Sequence, residues 1–326
     1  MKFAIIGTNF VSDGFMAGAN DCIDFELSVV CSRGLENAKN FANKYNCQTY
    51  VDDYKNILNY EVDAVYIATP NALHYDQAAF FLQNKIPVLC EKPLASNITE
   101  VNELIRLSKE NDTLLMEAIM PLTLPNYINL TTTLKEIGTV RRAFLNFGKY
   151  SSRYDNYRKG IVENAFKPEL SNGSLMDIGI YSMHFALGLF GKPERVLANS
   201  YLLETGVDGL GSVILIYKDK EIVINHSKIT DTVLQSEIQG EDGNILINVV
   251  SRPTEVKLKK RNEDIIDVTV PTDHPAMYYE LRHFIDCIQG NKKESSLVSY
   301  QHMIDVHSLM TQIREQVNLK FPADNK

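Results

Sequence analysis

The sequence has no C-x-x-C pair, no apolar run approaching ~18 residues, no excess of positive charge and no H-x-x-x-H pair. Each gap removes a class of protein. The five cysteines, Cys22, Cys31, Cys47, Cys90 and Cys287, are odd in number and scattered, which reads as reduced, mostly buried thiols and not as a disulfide framework. Without a long apolar run, no membrane span is expected. A net charge of −8 gives a polyanion little to be drawn to, so no nucleic-acid partner is expected. The seven histidines lack spacings such as H-x-x-x-H, and no metal site is expected. No repeat or low-complexity stretch is visible. The first strand begins near residue 2, ahead of any basic and apolar leader, and a cytoplasmic location follows as an expectation.

What is present divides in two. A chain of 326 residues with 44% hydrophobic residues can bury a sizeable core in two domains. Up to about residue 118, short apolar runs near 2–7, 25–31, 63–68, 86–90 and 113–117 alternate with helical patterns near 34–45, 71–84 and 97–110. That rhythm predicts a doubly wound parallel sheet, a Rossmann-type α/β domain over 1–118. Beyond it come helical patterns near 124–136 and 174–190, strand-like segments such as "GSVILIYKD", "KEIVINHS" and "NILINVV" between 195 and 270, and helices near 275–289 and 300–316. An α+β domain over 119–326 with a large, mainly antiparallel sheet fits that order.

Near the start, "KFAIIGTNFVSDGF" runs from an apolar strand into a turn. A dinucleotide fingerprint asks for G-x-G-x-x-G, and these positions hold Gly7, Asn9 and Ser12. Gly7 supplies a tight turn, Asn9 tolerates unusual backbone angles, and Ser12 is small. As a phosphate cradle the turn would present Gly7, Thr8, Asn9, Phe10 and Val11; a plain strand and loop is the other reading. A further absence is the carboxylate that an NAD site offers at the end of the second strand. Ser32 and Arg33 stand there, which favours NADP over NAD, against a solvated loop arginine.

Residues 64–97, "AVYIATPNALHYDQAAFFLQNKIPVLCEKPLASN", run strand, T-P-N turn, helix, strand and then Glu91-Lys92-Pro93. Here the sequence resembles the Gfo/Idh/MocA family of NAD(P)-dependent oxidoreductases. The resemblance implies that Lys92 sits beside nicotinamide and substrate, that Pro93 is often cis, and that Thr69, Pro70 and Asn71 pack against the nicotinamide half, with Glu91 and His74 in the same cofactor set. Asn71 as an N-cap and His74 in the first helical turn also have a purely structural account. A lysine at the carboxyl end of a parallel strand faces the crevice where open α/β sheets bind ligands.

The stretch 172–194, "NGSLMDIGIYSMHFALGLFGKPE", reads as a helix with Asn172 or Ser174 as cap and Gly191 and Pro193 at its end. Asp177, Tyr181 and His184 share one polar stripe, which suits a cleft. Gly179 and Gly188 suit close packing. The pattern is similar to the family's G-x-x-x-D-x-G-x-(H/Y), in the tyrosine form typical of the glucose-fructose oxidoreductase and dimeric dihydrodiol dehydrogenase branches; "LLMEA" at 114–118 is similar to the latter. Hydride transfer at a secondary alcohol needs a proton acceptor or donor at its oxygen. Tyr181 is the candidate, with Lys92 lowering its effective pKa and Asp177 holding substrate or orienting Lys92; Lys92 transferring the proton stays open. His184 is a candidate substrate contact, as are Tyr154, Tyr157 and Arg158, which with Arg153 form a polar, aromatic lid or pocket wall. Leu122 stands where many dihydrodiol-dehydrogenase-like relatives carry arginine, which speaks against an anionic or polyhydroxyl substrate held by that residue. The expected activity is oxidoreduction of a sugar, cyclic polyol or related diol, the rival being a non-catalytic NAD(P) sensor of the same fold. An apolar sheet face predicts a homodimer or higher oligomer.

Overall fold

The computed structural model describes residues 1–325, which cluster into two compact units. The first holds Met1–Ile119 and Asp273–Met303, the second Met120–Thr272 and Ile304 onward. The chain therefore enters each unit twice, where the sequence suggested one division after 118.

In the first unit β1 (Lys2–Ile6), α1 (Phe10–Ala19), β2 (Glu26–Cys31), α2 (Leu35–Lys44), β3 (Tyr50–Val51), β4 (Ala64–Ile67), α3 (His74–Gln83), β5 (Val88–Glu91), α4 (Ile98–Glu110) and β6 (Leu115–Ala118) follow in order. All strands pair in parallel in the order β3-β2-β1-β4-β5-β6. The direction of winding reverses between β1 and β4, so the residues after these two strands flank the crevice in which such sheets bind ligands. β4, β5 and β6 are buried at every position, which is why they read as continuous apolar runs. Two elements escaped the periodicity. α1 carries Ser12, Asp13, Gly14 and Gly18 and reads as loop, and β3 is only two residues long.

Among the later elements, α8 (Ala276–Gln289) belongs to this unit and covers α1. Their approach explains a glycine in the last turn of α1: a Cβ on Gly18 would lie 2.4 Å from the Tyr278 amide nitrogen. Arg282 adds an ion pair to Asp24 at 2.6 Å.

The second unit contains α5 (Pro125–Thr133), β7 (Val140–Gly148), the single turn α6 (Tyr154–Tyr157), α7 (Ile180–Phe190), β8 (Arg195–Leu202), β9 (Asp208–Ile216), β10 (Glu221–Ser227), β11 (Ser236–Gly240), β12 (Gly243–Ile247), β13 (Val256–Lys260) and β14 (Ile265–Asp267). The last helix, α9 (Tyr300–Gln316), passes from the first unit into it. One eight-stranded sheet runs β14-β13-β12-β11-β7-β10-β9-β8, antiparallel except for the β7–β10 pair. β7, which the sequence pattern does not announce, lies between β11 and β10; its leading Arg141 and Arg142 hide an alternation in which Ala143 and Leu145 point inward. α7 packs on β7 and β10. Along β9 and β10, Val213, Leu215, Ile222 and Ile224 are buried, while Ile214 and Val223 are half-buried on the other face. There Leu197 and Tyr201 are 47% and 58% exposed. The exposed face is thus less apolar than "SVILIY" suggests, because half of those side chains face the core.

Candidate active site

The Gly7 turn is built without the two missing glycines. Gly7 has φ +107°, and a Cβ there would stand 2.3 Å from the Ala68 carbonyl oxygen, so this position admits no side chain. Asn9 needs no special backbone freedom, since its φ is −94°. Its side chain does the work: Oδ1 accepts the Val11 amide at 2.8 Å as the cap of α1, and Nδ2 donates to the Ala68 carbonyl at 2.8 Å, tying β1's turn to the end of β4. The buried Ser12 hydroxyl donates to the Gly7 carbonyl at 2.7 Å. Two polar side chains pin what glycines would leave to the backbone. Helix amides of the first turn lack intrahelical acceptors and suit a phosphate, and Phe10, 71% exposed beside them, is an apolar surface that a bound nucleotide would cover. Thr8 Oγ1 reaches Ser32 Oγ at 3.3 Å, linking this turn to the end of β2, where Arg33 is exposed. The Cys31 thiol one residue earlier is pushed up to about 12, by burial first and then by Asp53 and Asp52, and is inert. These residues fit a pyrophosphate and a ribose-bearing group at the edge of the parallel sheet.

His74 joins the next two turns. It is fully buried, with Nδ1 2.8 Å from the Pro93 carbonyl and Nε2 2.8 Å from the Thr69 carbonyl. Carbonyls only accept, so each nitrogen is asked for a proton; burial opposes the charge and holds the imidazole below its ordinary value. His74 therefore acts through the turns it holds. Asn71 does not cap α3 as expected: Asn71–Leu73 form a 3₁₀ turn after Pro70, and α3 begins at His74. Thr69 Oγ1 donates to Gln77 at 2.7 Å. The Lys92–Pro93 peptide is cis. Behind it the Leu94 amide donates to Glu117 Oε1 at 2.8 Å, a fully buried carboxylate on β6 whose only sequence signal is the E of "LLMEA". Glu91 faces the interior, accepting the Tyr66 hydroxyl at 2.6 Å, and burial raises its pKa despite the neighbouring Lys92.

In the second unit, Asp177 lies in a wide i→i+5 turn, Leu175–Gly179, that leads into α7. Such π-turns recur at functional sites because they re-aim side chains. Neither Asn172 nor Ser174 caps it: the buried Asp208 accepts the Leu175 amide at 2.7 Å, and Gly173, at φ +136°, leaves room for that carboxylate. Burial holds Asp208 up at about 6. Ser174 instead meets His226 Nδ1 at 2.9 Å, and burial pushes His226 down to about 3. Ser174, His226 and Asp208 are no nucleophilic triad, because both neighbours approach the same ring nitrogen, Asp208 only to 3.8 Å. Gly179 packs against the His226 ring as expected of a close contact, whereas Gly188 is exposed.

The stripe Asp177, Tyr181, His184 descends into the protein: the first two are half-buried and His184 is fully buried, edge-on to His307. Tyr181 meets Phe147 edge to face at 5.7 Å. Asp177 has a partner that sequence reasoning missed, the Lys228 ammonium at 2.6 Å. The 151–158 segment is not a loose lid. Tyr154 and Tyr157 stack at 5.7 Å and pack on Ala165, Phe166, Leu203 and Val207, while Arg158 is exposed. Leu122 is buried.

Residues 1–119 match the profile of the oxidoreductase family with an NAD-binding Rossmann fold, and residues 134–246 match the GFO/IDH/MocA C-terminal domain. The chain is 46% identical over 325 residues, 99% of each chain, to a scyllo-inositol 2-dehydrogenase (NADP(+)) of Bacillus subtilis. It is 32% identical over 335 residues, covering 98% of this chain and 99% of the other, to a trans-1,2-dihydrobenzene-1,2-diol dehydrogenase of Xenopus tropicalis. Among solved structures, a 3-ketoreductase from Actinomadura kijaniata in complex with NADP and TDP-benzene superposes with TM-score 0.87 at 21% identity, covering 97% of this chain and 98% of that one.

Proposed function

This chain belongs to the GFO/IDH/MocA family of oxidoreductases, and we propose that it transfers a hydride between NADP and the secondary alcohol or carbonyl of a cyclic polyol, a sugar or a related diol. The observation that carries this reading is its end-to-end likeness to an NADP-dependent inositol dehydrogenase; relatives named as dehydrogenases favour the enzyme over a sensor. NADP, once bound, supplies or accepts the hydride. The Gly7 turn and the first turn of α1 hold its pyrophosphate, Ser32 and Arg33 its 2′-phosphate, and Thr69, Pro70 and Asn71 its nicotinamide half. Tyr181 exchanges the proton with the substrate oxygen, Lys92 donates to that oxygen, and Asp177 accepts from neighbouring hydroxyls. The mixed outer face of the β7–β14 sheet is the surface for a homodimer, and the cytoplasm is the expected compartment; a monomeric mass by light scattering would dismiss the dimer.

The test is a fluorescence titration with NADPH and NADH in wild type and Arg33→Ala, followed by turnover assays on inositol stereoisomers with Tyr181→Phe as control. NADPH is expected to bind the tighter, with the preference lost in Arg33→Ala. If neither nucleotide binds at micromolar concentration, the reading fails.

A further inference from the structure

Lys228 stands just after β10, where a lysine would ordinarily reach into solvent, yet its side chain is only 3% exposed. Its surroundings are built from four separate segments. The Lys228 amide donates to the Gly209 carbonyl at 2.9 Å, and its own carbonyl accepts the Ser151 amide at 2.9 Å, so its backbone joins β9 to the start of the 151–158 segment. The turn beneath it is fixed by the Ser227 hydroxyl, which accepts the Thr230 amide at 2.9 Å and the Thr230 hydroxyl at 2.7 Å. From this anchored backbone the ammonium runs to Asp177 Oδ2 at 2.6 Å and lies over the buried Phe166 ring, 5.6 Å from its centroid.

Burying an ammonium costs several kcal/mol unless an anion and good geometry repay it. Here the anion is the one carboxylate of the polar stripe, and it is itself 38% exposed. One end of the pair is locked inside the unit while the other is presented outward. A carboxylate on a π-turn has several rotamers open to it; a charge-assisted bond to a fixed cation selects one. The ring beneath the cation belongs to the small core on which Tyr154 and Tyr157 pack, so the same residue also ties the aromatic wall to the carboxylate.

We propose that Lys228 is a positioning residue for substrate recognition: it fixes Asp177 as a hydrogen-bond acceptor for adjacent hydroxyls of a polyol and couples it to the Tyr154–Tyr157 wall. The proposal rests on the oxidoreductase reading above. The ammonium does not touch substrate itself; it sets which hydroxyl pattern Asp177 accepts.

The experiment is a double-mutant cycle of Lys228→Met and Asp177→Asn, with Lys228→Arg as the conservative variant, read in kcat and KM on whichever inositol stereoisomer the wild type turns over. Lys228→Met is expected to raise KM roughly ten- to a hundredfold, to change kcat less than KM, and to leave NADPH affinity and the melting temperature near wild type. Lys228→Arg restores part of the lost affinity. Because the two residues act as one unit, the double variant is no worse than the poorer single one. Additive losses, or an unchanged KM in a folded Lys228→Met, overturn the proposal. If Lys228→Met melts well below wild type, Lys228→Arg becomes the deciding variant, and an unchanged KM with an unchanged preference among the stereoisomers overturns the proposal there. A wild type that binds NADPH but turns over no polyol sinks the oxidoreductase reading instead.

Discussion

The turns at the edge of the parallel sheet and the cluster around Asp177 are both polar, yet they are assembled differently. In the first, Asn9, Ser12 and His74 bond mainly to carbonyl oxygens of neighbouring turns. The side chains there are staples on backbone that the strands already align. In the second, Ser174 pairs with His226 and Asp177 with Lys228, while Asp208 accepts the Leu175 amide, so side chains from three chain segments hold one another. A stapled turn can lose one side chain and keep its path, whereas deleting Ser174, Asp208 or His226 from the cluster takes the partner of another buried group.

The largest effect expected from this contrast is at the one backbone-critical point of the stapled region. Gly7→Ala adds a Cβ 2.3 Å from a carbonyl oxygen at φ +107° and is expected to cost ~3 kcal/mol or more in urea unfolding, with NADPH binding lost. A fully stable Gly7→Ala would mean that the turn is looser than its neighbours imply.

Next comes a pair of opposite signs inside the cluster. With a folded pKa of about 3 against an ordinary 6.5, His226 refuses a proton that the unfolded chain accepts below pH 6.5, so stability falls as pH drops toward 3. Asp208, at about 6 against 3.8, holds a proton that the unfolded chain gives up; its contribution is present at low pH and lost as pH rises through 6. Relative to wild type, His226→Gln should therefore gain about 3 kcal/mol, and Asp208→Asn lose about 2 kcal/mol, between pH 7.5 and pH 4.5. Urea unfolding at the two pH values reads both, and slopes of the same sign would separate the two residues energetically.

The smallest effect is a staple removed. Asn9→Ala loses a helix cap and a bond to Ala68 and should cost about 1 kcal/mol, with NADPH affinity weakened but measurable. Abolished folding would erase the contrast between the two regions.

The same contrast explains what is legible in the sequence. Gly7, the T-P-N turn and Glu91-Lys92-Pro93 each adjoin in sequence the strand that carries them, and those strands are buried on both faces, so apolar runs and turn residues mark them plainly. The stripe of Asp177 and Tyr181 is visible because helical spacing is local. Asp208, His226 and Lys228 are not, because each sits in a strand or just past its end, with no neighbour in sequence to announce its partner. β7 hides behind two arginines, and α1 behind glycines, of which Gly18 exists for α8 to approach. Asn9 suggests backbone tolerance when its side-chain amide is what matters.

The return of Asp273–Met303 to the first unit also bears on how the protein is made. A ribosome that has delivered the whole parallel sheet by residue 118 has not yet supplied α8, and the surface of α1 that Gly18 keeps flat for Tyr278 stays uncovered through the synthesis of about 150 further residues. The nascent first unit must wait, with that face of α1 uncovered, for the far end of its own chain.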